Sequence, residues 1–103
     1  MANKQELFLK VNRFIEAKPN QDILLKELAE VTTDDQLQSE VEEITVKRIN
    51  KPVGESLVVT ALEIIAAIKE QFPQLQVTHL GEADVVIEVV AEKSNSEGQQ
   101  KSF

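Results

Sequence analysis

The feature that most constrains this chain is a helix written with its own start and stop. Thr60 followed by Glu63 has the spacing of a capping box, in which hydroxyl and carboxylate each satisfy an orphan backbone N–H. Ala61, Leu62, Ile64, Ile65, Ile68 and Phe72 then recur at i, i+3, i+4 and i+7, with Glu63 and Glu70 on the opposite side. Pro73 ends the helix, because it lacks the N–H and disfavours helical geometry in the residue before it. The spacing predicts a main helix over 60–72 as the wall of the core. Behind it, the apolar runs 75–80 and 85–91 are split by Gly81-Glu82-Ala83-Asp84, which predicts an antiparallel hairpin. The run 85–90, apolar apart from Glu88, predicts a strand at the sheet centre, covered on both faces.

Upstream, residues 6–16 alternate. Leu7, Leu9, Val11 and Ile15 fall on one face, and Glu6, Lys10, Asn12 and Glu16 on the other, predicting one long half-buried strand. Phe8 and Phe14 interrupt the polar face. Their aromatic bulk predicts burial, with a contact surface as the alternative. Residues 17–22 read as a turn with Asp22 as N-cap, and Leu24, Leu25 and Leu28 predict a short helix over 23–29. A brief strand is expected over 30–33, one helical turn over 34–41 and a second main strand over 43–49. The Pro52 and Gly54 loop follows, and then the ambiguous run Leu57-Val58-Val59. The expected class is α+β: a small mixed or antiparallel sheet under one main helix (60–72) and a short one (23–29). Residues 1–92 form the head. Residues 93–103, rich in Ser, Gln and Lys with Phe103 alone at the end, form a tail or linker.

With 103 residues the chain makes one domain with a sizeable core. Its net charge of −7 and pI near 4.7 argue against nucleic acid as a partner and disfavour anionic lipid. There is no cysteine, so thiolate chemistry and disulfides are excluded. No signal peptide is expected from the mixed N-terminal run, and no stretch is apolar enough to span a membrane.

Chemistry-bearing residues are sparse. His79 stands alone in a strand pattern and reads as a partly buried or edge-strand imidazole rather than a ligand. Asp34, Asp35, Glu40, Glu42 and Glu43 cluster without the Gly or the offsets of a calcium loop, which predicts a solvated acidic face. No serine, threonine or carboxylate pair stands in a nucleophile or acid–base motif, so neither enzyme activity nor a cofactor is expected. Arg13 and Arg48 occupy alternation positions otherwise held by apolar residues. With Phe8 and Phe14 they are the candidates for an interaction surface.

The order of these features resembles a known family. Leu7-Phe8-Leu9-Lys10-Val11-Asn12-Arg13, residues 23–31, Glu43-Ile44-Thr45-Val46-Lys47-Arg48-Ile49, residues 67–73 and residues 77–89 are together similar to the N-terminal soluble domain of the stage V sporulation protein AA family. The resemblance covers about residues 6–92. It implies a soluble head of a longer protein whose membrane helices are missing from this sequence. That protein would sit in a spore inner-membrane complex associated with moving dipicolinic acid and its calcium. The other subunits of the complex would be its partners, and exposed strand edges add a homodimer. A fainter resemblance, to the BON domain, implies a phospholipid surface as the alternative partner. A further alternative is that the head binds calcium through the acidic cluster, or dipicolinate through Arg13 and Arg48.

Overall fold

The computed structural model describes residues 5–91. In chain order the elements are β1 (Gln5–Val11), β2 (Phe14–Ala17), β3 (Asp22–Leu24), α1 (Leu25–Leu28), β4 (Ala29–Thr32), α2 (Asp35–Glu42), β5 (Thr45–Arg48), β6 (Ser56–Thr60), α3 (Ala61–Gln71), β7 (Leu75–Gly81) and β8 (Asp84–Val89). The class is α+β, as the sequence indicates. The expected tail, residues 93–103, lies outside the described residues.

The frame is a pair of rails running side by side in the same direction. β1 continues into β2 and β7 continues into β8, with β1 parallel to β7 and β2 parallel to β8. The antiparallel hairpin expected across residues 81–84 is therefore not formed. Gly81 turns the second rail without reversing it, and both halves pair with the first rail.

At this bend the rails differ in length. Two residues, Asn12 and Arg13, separate the paired positions Val11 and Phe14, whereas four, residues 82–85, separate Gly81 from Val86. The excess is even, so the bulge leaves every side chain on its own face; an odd excess would have turned one half inside out. Leu7, Leu9, Val11 and Ala17 of one rail and Leu75, Val85, Ile87 and Val89 of the other are all buried on the inner face. The bend also divides the long strand expected over 6–16 into two.

Each half gains one antiparallel strand. β4 flanks β1, giving the order β4-β1-β7, and β6 flanks β8, giving β2-β8-β6. β8 is central, as its apolar run suggests. Its outer face is nonetheless open, because Glu88 is exposed and Val86 only half-buried. β5 pairs with β3 alone in a two-stranded sheet rather than serving as a main strand.

α3 leaves β6 through the predicted capping box. Glu63 N donates to Thr60 Oγ1 at 3.1 Å, and Thr60 N donates to Glu63 Oε2 at 3.2 Å. Ala61, Ile64 and Ile68 are buried against the sheets, with Ile65 and Phe72 half-buried. Leu62, expected on the same face, is 77% exposed. One residue turns an α-helix by about 100°, and Ala61 already sits at the buried stripe, so Leu62 is carried past its edge.

The helix expected over 23–29 shrinks to the single turn of α1. Ile23 and Leu24 are drawn into β3, and Ala29 is already extended (φ −159°, ψ 158°) as β4 begins. Three leucines satisfy a short helix or two strand ends equally well, and pairing with β5 decides. Asp22 does not cap this turn. The turn takes its backbone bond from Glu27 Oε2, which accepts from Leu24 N at 3.0 Å.

Candidate functional site: the outer sheet face

The helices pack on the inner face of the rails, and among the described residues the outer face stays open. Across β2, β8 and β6 the register places Phe14 beside Val86 and Val86 beside Val58. Phe14 is 49% and Val58 48% exposed, with Val86 between them. Two residues along the strands, on the same face, Glu16 pairs with Glu88 and Glu88 with Ser56; on the other side Asp84 pairs with Thr60. The result is an apolar row three strands wide with carboxylates on both sides.

On the first half of the rails Phe8, 41% exposed, lies between Thr32 and Thr78, and Lys10 lies between Glu30 and Leu80. Leu80 is 47% exposed. The burial expected for Phe8 and Phe14 is thus overturned. The alternation places both on the outer face, and among the described residues no element packs over it.

The two arginines are each engaged with a carboxylate. Arg13 sits at the bend, its guanidinium 3.6 Å from Glu82, and Arg48 closes the β3–β5 pair by bonding Asp22 at 3.2 Å. Each is matched with its own carboxylate, one in the bend of the rails and the other in the β3–β5 sheet. Of the four candidate residues, the structure puts Phe8 and Phe14 on one face, Arg13 at the bend and Arg48 elsewhere. It adds Val58, Leu80 and Val86, which the sequence reading had not singled out. The first lay in the ambiguous run, the second beside a supposed hairpin turn, and the third in a strand read as doubly covered.

The acidic segment is dispersed around α2. Glu42 accepts from Gln38 Nε2 at 2.8 Å, and the same amide donates to Val31 O at 2.6 Å. Glu43 pairs with Lys26 at 2.9 Å, and this bond raises the lysine pKa. Among the described residues, no group of three or more His, Cys, Asp or Glu side chains is placed to hold a metal ion. His79 is exposed on the edge strand β7, its Nε2 2.7 Å from Glu82 O. A groove of about 340 Å³ opens where the second rail leaves the sheet, lined by Glu16, Lys18, Gln21, Glu27 and Val90 among others. Its polar groups mostly hold the loop together: Gln21 accepts from Lys18 N and donates to Glu27, both at 2.9 Å.

Among the described residues no helix is long and apolar enough to cross a membrane. No curated protein matches the chain. A crystal structure of a functionally unknown protein from Eubacterium ventriosum is similar in fold, with a TM-score of 0.76 at 13% identity over 86% of this chain and 97% of that one. The family described as stage V sporulation protein AA matches residues 4–93, spanning both rails and every element between them. The chain belongs to the stage V sporulation protein AA family.

Proposed function

We propose that this domain is a non-catalytic interaction module of a sporulation membrane complex that moves dipicolinic acid with its calcium. A sporulation role comes with the family. The observation that supports an interaction role is the outer face of the β2-β8-β6 sheet, where Phe14, Val86 and Val58 form an open row on a rigid, paired support. Exposed apolar side chains gathered on one face mark contact sites more often than isolated ones do. The net charge of −7 and the carboxylates beside the row weigh against an anionic lipid surface as the partner.

Affinity capture with the chain, against detergent extracts containing the membrane subunits of the complex, tests this reading. Retention of at least one of those subunits is expected. A head that retains none of them, together with normal dipicolinate loading in spores lacking only this domain, would overturn it.

A further inference from the structure

The composition of the outer face indicates the chemistry of what would cover it. The row Phe14, Val86, Val58 crosses three strands, so at about 4.8 Å per strand it is ~10 Å long. An α-helix rises about 1.5 Å per residue, so three side chains at i, i+3 or i+4, and i+7 cover ~10 Å. One apolar helical stripe laid across the strands therefore meets all three.

The flanks of the row are acidic. Glu16 and Glu88 stand directly opposite each other in register on one side, both exposed, and Asp84 stands on the other side. Like charges facing each other across a strand pair are unfavourable, and a cation placed over them relieves the repulsion. No lysine or arginine occupies these rows. The basic side chain at the bend, Arg13, is already paired with Glu82. A second copy meeting this face with its own would set carboxylates against carboxylates, and an anionic membrane would do the same.

From this we infer that the Phe14–Val86–Val58 row and its flanking carboxylates form a docking strip for a basic amphipathic segment of another protein, whose apolar stripe is bordered by lysine or arginine. The inference rests on reading the domain as an interaction module and adds the surface and the chemistry of the partner.

The test titrates the isotope-labelled full chain with a synthetic Leu/Lys amphipathic peptide of about five helical turns, and with its Leu/Glu counterpart. Backbone amide shifts are followed by NMR. The Leu/Lys peptide should move the resonances of Phe14, Val58, Val86 and Glu88, and the Leu/Glu peptide should move none. Affinity should fall by about tenfold or more in Val58→Thr/Val86→Thr, which keeps the charge and the strand propensity, and again in Glu16→Gln/Glu88→Gln.

Shifts centred on α2 instead, or an affinity unchanged in the threonine variant, would overturn the inference. So would binding of anionic vesicles through this row, or self-association that the threonine variant abolishes. The peptide readout does not depend on which subunit the domain meets. If the membrane subunits are retained while the peptide misses the row, this inference alone fails. If the peptide maps to the row while no subunit is retained and spores lacking the domain load dipicolinate normally, the interaction reading of the complex fails.

Discussion

Of the two described glycines, Gly81 has the less freedom to change. Its φ is +82°, and a Cβ built on it would lie 2.8 Å from Val11 O and 2.9 Å from Val11 N, both backbone atoms that cannot swing aside. Gly81→Ala is expected to cost about 2–4 kcal/mol, from the left-handed backbone and the clash together. Gly54 also has a positive φ, +96°, but nothing lies within 4 Å of its would-be Cβ, so Gly54→Ala should cost only about 1–2 kcal/mol. Urea denaturation of the two variants measures the difference. A glycine followed by polar residues predicts a chain reversal, and the same local signal serves a bulge in a continuing strand. What separates the two is the distant rail whose backbone meets Gly81, which the local sequence does not encode. Thr60 and Glu63 are the opposite case, because a capping box is a short-range device and its spacing alone revealed it. Thr60→Ala should cost about 1 kcal/mol. The Glu63 carboxylate is held below the usual range, first by the hydrogen bond from Lys47 and then by that from the Thr60 backbone N–H. A folded-state value below the unfolded one means this contribution is complete above the ordinary carboxylate range, near pH ~4–5, and is lost as pH falls through the folded value. Glu63→Gln should therefore lose less stability than the wild type on acidification from about pH 5 to pH 3, by a small margin because the pair is exposed. An identical acid profile for the two, measured by urea midpoints, would contradict this.

At the scale of elements, α3 shows how far periodicity reaches. Its limits and most of its buried side follow from sequence, yet the stripe is narrower than the apolar positions suggest, since Ile68 is fully buried and Leu62 is 77% exposed. Ile68→Ala is expected to cost about 2–5 kcal/mol, and Leu62→Ala no more than ~0.5 kcal/mol. Thermal or urea unfolding of both checks the assignment of the face. Equal losses would mean that Leu62 is packed after all. The short elements were harder to read, for a physical reason. A segment such as residues 22–32 buries too little by itself to choose between turn, helix and strand, so β5 and β1, from elsewhere in the chain, choose for it. The faces of the long strands were clear from alternation. Which of those faces is covered was not, because cover comes from helices whose placement the strand sequence does not encode, and Phe8 and Phe14 were misread on that account.

At the scale of the molecule, two parallel rails with an even bulge turn the same face inward in both halves, apart from the exposed end of β7 at His79 and Gly81, and the helices and the two-stranded β3–β5 sheet close over it. The outer face is left with an apolar row and its carboxylates. The membership of the chain in a sporulation family was within reach of sequence order, whereas the surface assigned to interaction required the register of three strands. On the proposed function, this outer face is the working surface of the domain. The most direct measurement is the dipicolinate content of spores whose only copy of the protein carries Phe14→Ser/Val58→Thr, with circular dichroism and urea unfolding of the purified variant domain alongside. The prediction is a stably folded domain and a dipicolinate content reduced to that of spores lacking the domain. A folded variant in spores with wild-type dipicolinate would contradict it.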